Sequence, residues 1–330
     1  MRIAVVGATG MIGHHVARAV VEQGHELVVI HRPSSNLEQL SDLSFRSAPG
    51  DLNDTDSLKS ALRDVDSVIN CAAYYPTAPR PWKKEVDRAL TQMENFYRAC
   101  ESHSLSRIVY LGAAIALPRH PEGLPGHADL VYPGQPASKN PYLQVKWALD
   151  QQAREKAKGG LPVVIGIPSM TFGEYDDVPT TGRLIRDIAN QELPAYVRGN
   201  RSLIYAGDAG LGLVKACEQG RIGERYIFTT VNTTMDQLME EIARQAQVTP
   251  PRPVPLAAAK TVAKLQAWRY RFLGGDVPTL NDTAIAVLSA GQFLQAEKAE
   301  QELGFTPTVG LEEMIRRTLS WFRQQGYVRQ

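Results

Sequence analysis

No single sign of charge dominates this chain. Its 36 Lys and Arg stand against 35 Asp and Glu, a net charge of +1, so bulk electrostatics gives no argument for nucleic acid or an anionic membrane as partner. Cysteine is scarce: Cys71, Cys100 and Cys217 are far apart, odd in number and without CxxC spacing, which argues against a disulfide framework and against a zinc site. They read as small core residues in a reducing compartment. No apolar run reaches the ~18 residues that span a bilayer, and the first residues already look like a core strand rather than a signal peptide. The expectation is a cytoplasmic protein with a small-molecule substrate, no nucleic acid and no membrane partner. Internal repeats and low-complexity tracts are also lacking.

What is present is ordinary globular composition, 43% hydrophobic and 22% charged, over 330 residues, enough for two lobes or one large α/β domain. The organising stretch is residues 2–24, RIAVVGATGMIGHHVARAVVEQG. Ile3, Val5 and Val6 suit a buried parallel strand. Gly7, Gly10 and Gly13 follow at three-residue spacing, for a sharp turn, for close approach of an anion to backbone N–H groups, and for close helix–strand packing. The helix beginning near Met11 would direct its positive end at a pyrophosphate.

Strand signals recur at 26–30, 44–48, 66–70, 107–112 and 163–167, with helices at 56–62, 82–103 and 142–158 between them. The exit of the second strand meets the adenosine ribose in such a sheet. An acid there would accept from both ribose hydroxyls; the chain has His31 and Arg32 instead, and a guanidinium grips a 2′-phosphate. NADP is therefore expected over NAD. Residues 118–141 form a long polar loop with His120 and His127, expected as a substrate-facing flap without a metal. Beyond about residue 170, helices at 176–191 and 206–219, one capped by Thr233 or Thr234 and running to 245, and others at 256–272, 282–288, 296–303 and 311–326 replace the βα alternation, apart from a short strand at 225–228. The expected fold is a Rossmann-type doubly wound parallel sheet with a small, mainly helical C-terminal substrate lobe. Residues 1–170, with 206–230 returning to the sheet, form the dinucleotide-binding part; residues 171–205 and 231–330 form the lobe.

Tyr142 and Lys146 lie four apart in a helix and project from one face. An ammonium beside a phenol is expected to lower the phenol's pKa, making Tyr142 an acid/base for a carbinol oxygen. Lys146 can also hold the nicotinamide ribose. Tyr74, Tyr75, Trp82 and Trp147 fall near this site and can line an apolar pocket, and His14 and His15 read as packing or surface residues.

On GATGMIG at Gly7 to Gly13, GDLND, NCAA, the Tyr142–Lys146 pair, PTTGRLI, LPAYV and KAEQELGFTP, the chain resembles an extended short-chain dehydrogenase/reductase of the NAD(P)-dependent epimerase/dehydratase type. The nearest branch is that of dihydroflavonol-reductase-like proteins and hopanoid-associated sugar epimerases. The resemblance implies that Gly7, Thr9, Gly10, Met11 and Ile12 line the pyrophosphate, and that Asp51 and Leu52 flank adenine. It places Ala72 and Ala73 near the inner ribose and Pro168 at the nicotinamide. It further implies a homodimer through the helices at 82–103 and 142–158. Arg201 falls where nucleotide-sugar epimerases often have a diphosphate-binding Arg, ahead of Asp208, whereas Ile167 replaces the Asn that often contacts the nucleotide. Left to themselves, Arg201 reads as a solvated loop residue and Asp208 as a helix cap.

One departure matters: the family's Ser or Thr after the fifth strand is Ala113, whose methyl cannot polarise a carbonyl. Ser169, Thr171 or a bound water can substitute for the missing hydroxyl. The alternative to an active oxidoreductase or epimerase is then an attenuated NADP-binding sensor or regulatory protein.

Overall fold

The structure, a computed structural model, describes residues 1–72, 74–76, 81–179, 181–273 and 291–329. In chain order its main elements are β1 Arg2–Val6, α1 Met11–Glu22, β2 Glu26–His31, β3 Phe45–Pro49, α2 Thr55–Ala61, β4 Ser67–Asn70, α3 Trp82–Glu101 and β5 Arg107–Leu111. Then come α4 Pro141–Lys158, β6 Val163–Pro168, β7 Met170–Phe172, α5 Arg183–Ala189, β8 Ala195–Val197, β9 Asn200–Tyr205, α6 Ala206–Gln219 and β10 Arg225–Phe228. The chain continues with β11 Val231–Thr234, α7 Met235–Ala246, β12 Arg252–Val254 and α8 Leu256–Leu273, followed by helices Glu297–Leu303 and Leu311–Gln324. The helix expected at 282–288 lies outside the described residues, as does Ala73.

Seven strands pair in parallel in the order β10-β6-β5-β4-β1-β2-β3. Strands covered on both faces read as continuous apolar runs, as Ile3 to Val6 and Leu27 to Ile30 do. One face packs α1 and α6 through Val16, Val20, Leu213 and Val214 against Ile3, Val5 and Val29. The other packs α3 and α4 through Phe96, Tyr97, Val145 and Leu149 against Val68, Ile108 and Tyr110. Sequence order reverses direction between β1 and β4, and the crevice beyond the C-terminal ends of strands at such a switch point is where ligands bind in open α/β sheets.

A third core gathers Phe172, Ile185, Leu238, Met314 and Phe322. Beyond β6 the chain also carries sheets that the sequence reading does not foresee: β11-β9-β7 and the pair β12-β8. Their strands are three to six residues long and hold Asn200, Arg201, Asn232 and Pro253, so no apolar alternation marks them. The helix expected from 176 starts only at Arg183, because the Asp176 carboxylate accepts from the Gly182 N–H at 3.1 Å and holds the intervening turn. Helix α7 begins as expected, with a capping box between Thr234 and Gln237.

Candidate active site

The crevice starts at the glycine turn. Gly7 has φ +82°, and a Cβ there would sit 2.9 Å from the Ala72 backbone N, so only glycine lets β1's exit pass β4's exit. A Cβ on Gly13 would come 2.1 Å from the Gly7 carbonyl oxygen, which is how closely α1 leans on the turn. A Cβ on Gly10 would have its nearest neighbour at 3.6 Å, and Thr9 and Gly10 are exposed, so space lies open above them. Among the described residues no side chain caps α1, and its first turn has no acid, which leaves its leading N–H groups facing that space. A pyrophosphate suits these donors in charge and size.

The strand ends hold the other expected contacts level with this turn, since Val6 is in register with both Ile30 and Asn70, and Asn70 with Tyr110. His31 hydrogen-bonds the Arg32 carbonyl at 2.8 Å and the Ser47 hydroxyl at 2.8 Å, leaving the Arg32 side chain exposed at the β2 exit. Asp51 accepts from the Asn53 backbone N–H at 2.8 Å, and Asn95 fixes the Leu52 carbonyl at 3.0 Å, so the half-buried pair Asp51 and Leu52 is held from both sides. Asn70, 1% exposed, accepts from the Ala72 N–H at 2.9 Å and thereby sets the backbone that faces Gly7. In the sequence Asn70 stands out only as part of NCAA; a polar amide closing a run of apolar strand residues is the signal that marks it.

Helix α4 delivers the catalytic candidates. Asn140 caps it by accepting from the Leu143 N–H at 3.1 Å, and Pro141 occupies the first turn, where its missing N–H costs nothing. Gln144, buried between the two candidates, donates to the carbonyls of Pro136 and Ser138 at 2.8 and 2.6 Å and ties the preceding loop to the helix. The Lys146 ammonium lies 5.9 Å from the centre of the Tyr142 ring, and the Tyr75 ring lies 4.8 Å from it. The expected lowering of the phenol pKa is not what this geometry gives. Burial, with a smaller contribution from Tyr75, pushes Tyr142 well above its usual value, and burial lowers Lys146 to about 8. Withdrawal from water outweighs the neighbouring charge, so the phenol is held in its neutral, proton-bearing form.

Ala113 stands in extended conformation just past β5, with only a methyl to present. Ser169 is buried and its hydroxyl has no hydrogen-bond partner among the described residues, whereas the Thr171 hydroxyl donates to the Ser169 carbonyl at 2.9 Å. Ser169 is thus the readier donor of the two. Pro168 ends β6 opposite Phe228. Arg201 is not a solvated loop residue: it lies within β9, buried, and donates to the Asn200 carbonyl at 2.6 Å. Burial, and secondarily the charge of Arg119, draws its pKa down to about 10. Arg119 itself donates to the Gly291 carbonyl at 3.2 Å, and a Cβ on Gly291 would fall 1.6 Å from an Arg201 nitrogen, so two guanidinium groups converge on one glycine. Sequence reading passed over Arg119 because it sits in the long loop, where a lone cation carries no pattern.

That loop is stitched down rather than loose. Gly126 donates to the Phe293 carbonyl at 2.7 Å and accepts from Gln295 at 3.0 Å, and the Leu130 carbonyl accepts from Arg225 at 2.7 Å. Asp208 does not cap α6; its carboxylate takes the N–H groups of Thr308 and Val309 at 3.2 and 3.1 Å and anchors the C-terminal segment. His14 and His15 are buried packing residues, with His14 stacked on Tyr175 at 3.6 Å. Burial lifts the Cys71 and Cys217 thiols to about 12 and Cys100 higher still, which leaves all three without thiolate chemistry near neutral pH.

The model of the NAD dependent epimerase/dehydratase family matches residues 3–228. A nucleoside-diphosphate-sugar epimerase from Pseudomonas aeruginosa, solved by crystallography, is 43% identical over 100% of this chain and 99% of that one, with a TM-score of 0.88. A dihydroflavonol 4-reductase-like protein of Synechocystis sp. is 27% identical over 98% of this chain and 95% of its own length. Sterol demethylase protein B of Methylococcus capsulatus is 25% identical over 99% of this chain and 100% of its own.

Proposed function

The chain belongs to the NAD dependent epimerase/dehydratase family, and from that premise we propose that it is an NADP-linked oxidoreductase reducing a carbonyl on a small, diphosphate-bearing molecule such as a nucleoside-diphosphate sugar. The observation that carries the reading is that half-buried Tyr142 and buried Lys146 share one face of α4, with the Tyr142 ring against Tyr75 just past β4, the strand paired with the β1 that leads into the Gly7 turn. The nicotinamide, when bound, supplies the hydride.

Each step left to the protein has a residue suited to it. The first-turn N–H groups of α1 and the open space over Gly10 suit the pyrophosphate; Arg32 suits a ribose 2′-phosphate; Asp51 and Leu52 suit the adenine side; Ala72 and Pro168 suit the inner ribose and nicotinamide. Tyr142, protonated in the free protein, gives its hydroxyl proton to the carbonyl oxygen as the carbon receives hydride. Lys146 offsets the phenolate that results and binds ribose hydroxyls. Arg201 and Arg119 suit the substrate's diphosphate. Oxidation followed by re-reduction on the opposite face would make the same site an epimerase. The neutral phenol favours the reductive direction as the entry step.

Two predictions arise directly. Arg32→Ala should weaken NADPH binding about tenfold or more while changing NADH binding by less than about twofold, measured by fluorescence titration; equal losses would remove the phosphate assignment. Ala113→Ser restores a donor beside the reacting carbonyl and should raise turnover by roughly one to three decades with a panel of carbonyl substrates. Ala113 also supports a second reading, in which the protein binds NADP and turns over too slowly to matter, as a sensor of the cofactor pool. Tight NADPH binding with no turnover, unchanged in Tyr142→Phe and in Ala113→Ser, would favour the sensor.

A further inference from the structure

Helix α8 is built inside out. Its buried side is made of small residues, Ala259 and Ala263 at 6% and 4% exposure, with Gln266 and Tyr270 half-buried beside them. Its large apolar residues point the other way: Val262, Leu265, Trp268 and Phe272 are 45%, 65%, 57% and 64% exposed. At 100° per residue these four fall in one third of the helix circumference, and the Trp268 and Phe272 rings meet at 5.3 Å. Soluble helices turn such residues inward, and a contiguous exposed stripe of this kind marks a docking surface.

Charge identifies what docks. In its 18 residues α8 has Lys260, Lys264, Arg269 and Arg271 and no Asp or Glu. Lys260 and Lys264 share an azimuth next to the apolar stripe, and Arg269 lies within it. A second copy would meet this face across a two-fold axis and set four cations against four, with no acid on the helix to offset them. An anionic bilayer surface answers both features, apolar side chains entering the acyl boundary and cations staying at the headgroups. We propose that α8 docks the protein on a membrane surface rich in anionic phospholipid. The helix would lie in the interface: among the described residues no helix is long and apolar enough to cross a membrane. The chain-wide balance of +1 conceals this local excess.

The test is co-sedimentation of the full-length protein with phosphatidylglycerol/phosphatidylcholine vesicles and with pure phosphatidylcholine vesicles, beside sedimentation velocity without lipid. Binding should be confined to the anionic vesicles and fall about tenfold or more on raising salt from roughly 0.1 to 0.5 M. Leu265→Ser/Trp268→Ser should abolish it with an unchanged thermal melt, because both side chains are exposed. Lys260→Gln/Lys264→Gln should weaken it and flatten its salt dependence. Absence of vesicle binding would overturn the proposal, as would binding that the serine pair leaves intact. So would a dimer without lipid that the serine pair splits, since that would make α8 a self-association face.

Discussion

Tyr142→Phe is expected to lower kcat/KM for carbonyl reduction by about 10²–10⁴-fold, the usual worth of a positioned proton donor, while NADPH affinity changes by no more than a few-fold. The substitution removes one oxygen from a half-buried ring that keeps its contacts with Tyr75 and Lys146, so packing is kept. A drop in kcat with intact cofactor binding locates the loss in the proton step. Lys146→Met should give a comparable loss without lowering the melting temperature. Burial disfavours the ammonium, bringing its pKa to about 8 from an ordinary value near 10.5, so removing that charge costs the fold nothing. The sign of the pH dependence follows. Activity that relies on the Lys146 ammonium is present below about pH 8 and is lost as pH rises through that value, whereas the same lowered pKa makes the folded state relatively more stable as pH rises from about 8 toward 10.5. A wild-type rate profile falling on the alkaline side near 8, with Lys146→Met flat there, is the matching result.

The second large effect separates two glycines of one motif. Gly13→Ala should reduce NADPH affinity by about 10²-fold or more and destabilise the protein by roughly 1–3 kcal/mol, because the new methyl would meet the Gly7 carbonyl oxygen at 2.1 Å and push α1 off the turn. Gly10→Ala should leave the thermal melt unchanged, since its methyl has no neighbour nearer than 3.6 Å and its φ is −93°. The methyl would project into the space proposed for the pyrophosphate, so affinity should still fall by about tenfold or more. Isothermal titration with NADPH and a thermal melt of both variants decide it. An equal loss of stability in both would mean that Gly10 is structural and that the anion seat is misplaced.

The parts of the molecule governed by local rules were legible in the sequence. Buried parallel strands such as Val28 to Ile30 announce themselves as apolar runs, the glycine spacing marks the turn that Gly13's tight packing demands, and Tyr142 and Lys146 share a face because the helix repeat requires it. What depended on tertiary burial was not. Arg201 reads as solvated because nothing in NRSLIYAGD signals that β9 is covered, and five strands are not legible because they are short or interrupted by polar residues. The direction of the Tyr142 shift is hidden for the same reason: the charge of Lys146 can be read from the chain, but the exclusion of water around the phenol cannot. A whole-chain charge count likewise averages away the basic, outward-facing apolar helix α8.

The most direct test is a crystal structure of the protein with NADPH bound. The account predicts the pyrophosphate on the N–H groups that open α1 above Gly10, the 2′-phosphate at Arg32, and the nicotinamide beside the Tyr142 hydroxyl with Lys146 on its ribose. A nucleotide seated anywhere else, or a nicotinamide out of reach of Tyr142, would contradict it.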